Sequence, residues 1–340
     1  MAGLCAAARA RQLGLAPALL EKGDRPGGSM LLSSGVVWRY RTLEEFRRQC
    51  PGGDERVQRL IVERLDDALD WLESLGAPVM AATTANPLTV GRRFDPGGLT
   101  DVLVRAAGEV QLGGGSVAGA GPVLLATGGF PVRLARDLGL PLRANRWSEG
   151  DGLDLGLARG AATTPSQDEF YGRAMPAPPA TWGEGEYVDH AQLYGRHATV
   201  LDEQGAEIEV DPDDWSENGL VQEIARRGGR AWYVVGPDAL DRPTPYGTIA
   251  EAIERARAAG GTVREQADGT LAVHVVAAVT HTIGGLAIDT DARVLDEAGD
   301  PIDGLWAAGV DAGGFSGGGY ASGLAQALVL GLAAAEDAAR

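Results

Sequence analysis

Glycine constrains this chain more than any other residue, because it gathers inside apolar segments toward the C-terminus: Gly284-Gly285, Gly304, Gly309, then Gly317-Gly318-Gly319 and Gly323. A residue without a β-carbon leaves the neighbouring main-chain N–H groups unshielded. Such density suits a large anionic or flat ligand lying directly on the backbone. The 50 glycines of the 340 residues fall in discrete clusters and not in a fixed period. They therefore mark turns and ligand approaches, not a fibrous repeat.

The length favours one large domain carrying an inserted second one. A formal net charge of -17 repels polyphosphate backbones, which excludes nucleic acid as the expected partner. No apolar run approaches the roughly 18 to 20 uncharged residues of a bilayer span, so no membrane span is expected. Cys5 and Cys50 are too few for a disulfide framework and read as structural thiols in a reducing cytoplasm. His190, His197, His274 and His281 show no ligand-pair spacing, and no metal is predicted.

Along the chain, a small-residue helix is expected from the first residue, followed by a buried strand over residues 15–20 that ends at Glu21-Lys22. In a Rossmann unit the order is strand, G-x-G-x-x-G, helix, strand, acidic residue. Gly3 fits the third glycine and Glu21 the acidic residue. A leading strand and two glycines are then missing, as in a truncated product or one with a misplaced start. Residues 23–35 form a Gly/Ser loop, residues 42–75 a helical region, and residues 122–130 a strand running into a glycine turn. Gly150-Asp151-Gly152 opens a helix. Between about 165 and 270, Pro, Trp and acidic clusters such as Asp211-Pro212-Asp213-Asp214-Trp215 change the character of the chain. Strands at 286–289 and 305–308 then lead to a terminal helix over 322–339.

Six motifs stand in one order: Glu21-Lys22, the loop from Gly27-Gly28-Ser29 to Ser34-Gly35, Thr127-Gly128-Gly129-Phe130, Gly150-Asp151-Gly152, His281-Thr282-Ile283-Gly284-Gly285, and Leu305-Trp306-Ala307-Ala308-Gly309. With them the chain resembles the fumarate reductase, succinate dehydrogenase and 3-ketosteroid dehydrogenase flavoproteins over nearly its whole length. The resemblance implies an α/β protein: a Rossmann-like FAD-binding domain (1–164 and 273–340, the first strand missing) interrupted by an inserted α+β cap domain (165–272). It also implies roles for single residues. Glu21 would bond the adenosine ribose, with Lys22 beside it, and the helix starting near Gly3 would turn its positive end to the FAD pyrophosphate. Gly27, Gly28, Ser29, Ser33, Ser34 and Gly35 would supply donors to pyrophosphate and flavin. Thr127 and Gly128 would pass the adenine side, and Asp151 the ribose or ribityl side. Gly285, Gly309, Val310 and Asp311 would line the second contact to the pyrophosphate and ribityl chain. Ser322, Gly323 and Leu324 would start the terminal helix beneath the flavin. Gly28 stands nearest the position where relatives with covalent flavin carry a histidine, so FAD is expected to be bound non-covalently.

The resemblance further implies oxidation or reduction of a C–C bond beside a carbonyl, by hydride transfer to flavin N5, with a small-molecule substrate and an unspecified electron acceptor. Fumarate reductases use one arginine in the cap and another near the terminal glycines. This chain has Asp213-Asp214-Trp215 and Gly318 there. Two carboxylates buried without guanidinium partners are costly, which favours a neutral, ketosteroid-like or enone substrate. Tyr320, Tyr171 and His281 are the candidate catalytic residues, although Phe315 stands where ketosteroid enzymes place a tyrosine. The family's β-meander is cut short between Gly108 and Pro122, and residues 251–274 compress a longer segment. The alternatives are a dicarboxylate enzyme of the fumarate reductase type and a truncated, non-catalytic remnant. A nicotinamide-linked Rossmann enzyme has no use for the C-terminal glycine half-site.

Overall fold

The first helix runs Ala2–Gln12 in the computed structural model, which describes residues 1–84, 86–114, 121–211 and 213–340. Its alanines let it approach the terminal helix Gly323–Ala338 closely. A β-carbon at Gly331 would lie 2.7 Å from the carbonyl oxygen of Ala2, and Ala6, Ala10 and Ala335 form one buried cluster with Leu124 packed on it. Small residues here set the interhelical distance.

Two compact units divide the chain: residues 1–132, 145–169 and 281–340 in the first, 133–144 and 170–280 in the second. In the first unit Leu19–Leu20 pairs in parallel with Val110–Gln111, and Val123–Leu125 pairs in parallel with Pro301–Ala307. Antiparallel to the latter runs Arg293–Leu295. A separate antiparallel sheet joins Val36–Tyr40, Thr89–Phe94 and Val79–Ala81. Among the described residues, neither Leu19–Leu20 nor Val123–Leu125 has a strand on its other side.

Three expected elements differ. The strand over 15–20 shrinks to Leu19–Leu20, because Pro17 lacks the N–H a ladder needs. The helical region 42–75 is two helices, Leu43–Gln49 and Glu55–Ser74, separated at Pro51-Gly52-Gly53; Thr42 caps one by accepting from the Glu45 amide, Asp54 the other by accepting from Arg56. Residues 286–289 form no strand, since their pairing is divided: Leu286 bridges Thr163 and Ala312, and Ile288 bridges Val294. Of the shortened stretch between Gly108 and Pro122, residues 115–120 lie outside the described residues, as does Pro212 of the acidic cluster.

In the second unit Val263–Glu265, Leu271–Thr282, Arg230–Val235 and Thr199–Asp202 form one antiparallel sheet, to which Phe170–Pro176 adds alongside Leu271–Thr282. Residues 272–279 are all buried, as expected of a strand covered on both faces. Along Arg230–Val235, Ala231, Tyr233 and Val235 turn inward, the period-two pattern of a half-covered strand.

Candidate functional site

The acidic residue after the short strand is held by its own turn: Glu21 Oε1 accepts from the Gly23 amide at 2.8 Å. Beside it, Lys22 Nζ donates to Asp151 at 2.8 Å and Glu149 at 2.5 Å. The Asp151 and Glu149 hydrogen bonds raise the Lys22 pKa. All three side chains are well exposed, so the bridge orients more than it stabilises.

The following loop turns on Gly27 and Gly28, both with positive φ (109° and 52°). Gly28 has only Asn145 Nδ2 within 4 Å of where a β-carbon would stand, at 3.5 Å. Ser29 Oγ accepts from the Asn145 amide. Ser33 Oγ accepts from the Gly35 amide and donates to the Met30 carbonyl, and the Ser34 carbonyl accepts from Arg93. Gly35 is required by packing, since a β-carbon there would collide with the Phe94 carbonyl oxygen at 2.0 Å.

Around Thr127 the chain converges. Asp311, 2% exposed, accepts from the Thr127 amide, from Thr127 Oγ1 at 2.7 Å and from the Gly128 amide at 3.0 Å. Thr127 Oγ1 in turn accepts from the Gly152 amide at 3.1 Å, beside Asp151. Burial raises the Asp311 pKa, opposed by the donors of Thr127, Gly128 and Gly129. The Asp311 carboxylate thus braces the turn. Gly285 lies against the main chain of 311–313, where a β-carbon would meet Asp311 O at 2.7 Å. Gly309 has φ 67° and faces Ala2, and the Val310 carbonyl lies against Gly129. Gly3, in the first turn of its helix, sits between Leu19 and Ala126. Gly3, Glu21, Lys22, Thr127, Gly128, Asp151, Gly309, Val310 and Asp311 are thereby gathered in one part of the first unit.

His281 and the start of the terminal helix form the other part. His281 Nδ1 lies 3.1 Å from the Thr282 carbonyl and therefore carries the ring proton, so Nε2 is an acceptor facing Gly323, where a β-carbon would come within 3.3 Å. Burial pushes the ring down to about 4, and it is neutral at physiological pH. Ser322 caps the helix, its Oγ accepting from the Ala325 amide at 3.3 Å, and Leu324 follows half-buried in the first turn. The Tyr320 carbonyl accepts from Tyr40 at 2.7 Å, and its ring meets Trp38 edge-on at 5.4 Å. Tyr171 belongs to the second unit, buried, with the Arg173 guanidinium 4.7 Å over its ring.

The glycine run 313–319 has a role its composition does not announce. Gly52 N donates to Gly317 O and Asp54 N to Gly314 O, Gln58 Nε2 donates to the Cys50 and Phe315 carbonyls, and a β-carbon at Gly319 would stand 1.9 Å from Gln49 O. Several of these glycines are demanded by a protein loop. Sequence reasoning missed Asp311 as a brace, Gln58, and Gln326, whose Nε2 donates to the Ala312 carbonyl at 2.6 Å. A polar residue inside an apolar helix was the available signal for Gln326.

These residues suit a dinucleotide such as FAD on a structural ground. Neither Ala2–Gln12 nor Asp151–Ala158 has a side-chain hydrogen bond from its own N-cap residue, and at Gly28 only Asn145 Nδ2 stands near the β-carbon position, so main-chain donors there are accessible to a pyrophosphate. Among the described residues no group of His, Cys, Asp or Glu could hold a metal ion, and no helix is long and apolar enough to cross a membrane.

Comparison with known proteins agrees. The family described as FAD binding domain matches residues 1–111 and 95–324. A probable fumarate reductase, Ifc3, of Shewanella frigidimarina is 47% identical over 73 residues, 20% of this chain and 12% of that protein. The NADH:fumarate oxidoreductase of Klebsiella pneumoniae is 22% identical over a 436-residue alignment, covering all of this chain and 46% of the relative. The chain thus spans less than half the length of these curated relatives. Among solved structures, the 3-ketosteroid-delta4-(5alpha)-dehydrogenase of Rhodococcus jostii RHA1, in complex with 4-androstene-3,17-dione, aligns with TM-score 0.73 at 17% identity, covering 100% of this chain and 95% of that one. A flavocytochrome c3 fumarate reductase in its open conformation aligns with TM-score 0.69 at 21% identity, covering 99% and 76%. The resemblance read from the six motifs is borne out: the chain belongs to the FAD binding domain family, with the fold of the fumarate reductase and 3-ketosteroid dehydrogenase flavoproteins.

Proposed function

We propose that the protein is an FAD-dependent oxidoreductase that removes or adds hydrogen across a C–C bond beside a carbonyl in a neutral substrate of the ketosteroid or enone class. The first unit serves as the cofactor domain and the second as the cap. FAD is held non-covalently and, when bound, supplies the hydride acceptor at N5.

One observation carries the preference for a neutral substrate. Where a carboxylate clamp needs a cation, the Gly318 amide donates to the Glu169 carboxylate at 2.9 Å, and His281, pushed down to about 4 by burial, offers no positive charge. An anionic substrate beside Gly318 would meet the like charge of Glu169. A ketone asks only for hydrogen-bond donors, and the Tyr320 hydroxyl is the first unit's candidate for polarising its oxygen; Tyr171, in the second unit, is the other candidate donor. His281 Nε2, facing the helix start at Gly323, is the candidate to hold a proton there. Glu21 and Lys22 bind the adenosine end, and the amides of the Gly27-Gly28 and Thr127-Gly128 turns orient the pyrophosphate. The substrate is a small molecule, the electron acceptor is left open, and the compartment is the cytoplasm.

The test has two steps. The purified chain is mixed with FAD and freed of excess, and the flavin absorption of the protein fraction is recorded. A colourless fraction overturns the cofactor reading. The yellow protein is then assayed with an artificial electron acceptor against 3-ketosteroids and simple enones, and against succinate and fumarate. Turnover confined to the dicarboxylates overturns the substrate class.

A further inference from the structure

The turn over residues 145–149 lies in the first unit and is fastened to candidate cofactor residues through three of its members. The Asn145 amide donates to Ser29 Oγ at 3.2 Å. Glu149 accepts from Lys22, which also holds Asp151. Ser148 lies against Gly128, where a β-carbon would come within 2.5 Å of the serine hydroxyl oxygen. The turn also closes on itself: Asn145 Oδ1 accepts from the Trp147 amide at 3.3 Å and the Asn145 carbonyl from the Ser148 amide at 3.1 Å. The main chain that carries Trp147 is thus fixed.

Its indole meets Gly23, two residues after Glu21, along the N–H edge. A β-carbon at Gly23 would stand 2.8 Å from Trp147 Cδ1, 3.0 Å from Nε1 and 3.2 Å from Glu21 Oε1. Gly23 is not among the glycines with positive φ, so what calls for glycine there is the indole edge and not the backbone. Trp147 is half-buried, and its N–H has no hydrogen-bond partner among the described residues. Glu21 is half-buried too. Its Oε1 accepts from the Gly23 amide at 2.8 Å, while Oε2 accepts nothing from the described residues. A donor and an acceptor, each with capacity left, therefore flank the same glycine. The Arg146 guanidinium, 3.6 Å from Asp24, stands 5.3 Å over the indole ring, so a cation takes one face and the N–H edge is what the ring offers.

A carboxylate only accepts and an indole N–H only donates, whereas a hydroxyl does both. A hydroxyl that gives its proton to Glu21 keeps lone pairs for a donor. A lysine or arginine in the place of Trp147 would pair with the carboxylate and compete with the ligand. A neutral N–H leaves Glu21 available.

We propose that Trp147 is a binding residue for the adenosine end of FAD, its Nε1–H donating to a ribose hydroxyl that in turn donates to Glu21. The inference rests on the reading of Glu21 as the ribose acceptor and deepens it: a neutral donor and a carboxylate acting on one hydroxyl favour the dinucleotide FAD over FMN.

The test measures, by flavin fluorescence, the dissociation constants of FAD and of FMN, which has no adenosine. The proteins are the full chain, Trp147→Phe, Glu21→Gln and the double variant. Trp147→Phe keeps an aromatic ring and removes the N–H. It is expected to weaken FAD about fivefold and to leave FMN unchanged. Because both side chains act on one hydroxyl, the double variant is expected to bind FAD within about twofold of Glu21→Gln alone. Unchanged FAD affinity in Trp147→Phe, an equal loss for FMN, or fully additive losses in the double variant overturns this inference and leaves the cofactor reading standing. A wild type that takes up no FAD overturns both.

Discussion

Thr127 and Asp311, 184 residues apart, share the hydrogen bonds that close one turn: the threonine gives its amide and its hydroxyl (2.7 Å) to a carboxylate that is 2% exposed. Removing this acceptor takes away the partner of the Thr127 and Gly128 amides and of the Thr127 hydroxyl at once. Asp311→Ala is expected to lower stability by about 3 kcal/mol, and Asp311→Asn, which keeps one acceptor oxygen, by about half as much. Urea unfolding of the three proteins measures both.

At Gly319 the expected cost is steric. A β-carbon would stand 1.9 Å from the carbonyl oxygen of Gln49, a main-chain atom that cannot swing aside as a flexible side chain can. Gly319→Ala should cost about 2 kcal/mol or more, whereas Gly185→Ala, with nothing within 4 Å, should stay within about 0.5 kcal/mol of the wild type. Equal melting temperatures for the two variants would contradict this account.

His281 makes the protein acid-sensitive. Its folded pKa, about 4 against 6.5 for the free ring, means that the unfolded chain binds the proton first. The stability it contributes is complete above pH 6.5 and is lost as the pH falls from there through 4, a difference of about 3 kcal/mol. His281→Asn should flatten that slope, which denaturant titrations near neutrality and in mild acid would reveal.

Glu217 acts in the opposite direction. Its folded pKa is raised from 4.5 to about 7, so the folded chain holds its proton where the unfolded chain has released it. The advantage is complete below pH 4.5 and disappears as the pH rises through 7, again about 3 kcal/mol. The mildly alkaline limb of the stability profile should therefore flatten in Glu217→Gln, and an unaltered limb would show that the carboxyl is not buried in solution.

Local signals carried much of the fold. Ser322 starts the terminal helix as read, its Oγ accepting from the Ala325 amide, and the six motifs pointed to the family that the FAD binding domain match then bore out. What escaped was long-range. The density of glycine at 313–319 suggested a ligand lying on the main chain, yet much of it answers to the loop at 49–54. Nothing in a single sequence pairs those two segments. The same holds for Asp311: an aspartate after a glycine reads as a ligand contact or a turn, and only the fold brings it to Thr127. Glu217 was passed over because a glutamate before a helix ordinarily faces water, and its surroundings include Tyr194, Arg196 and Tyr233, which come from other elements of the chain.

The two parallel ladders of the first unit, Leu19–Leu20 with Val110–Gln111 and Val123–Leu125 with Pro301–Ala307, each end, among the described residues, in a strand flanked on one side only. Main chain in that state is a template for any extended segment of suitable polarity, including one from another molecule. The net charge of -17 opposes such pairing, and its reach shrinks from roughly 30 Å in dilute buffer to roughly 3 Å in molar salt. Salt should therefore behave as an assembly agent for this protein, raising its apparent mass in light scattering as the repulsion is screened.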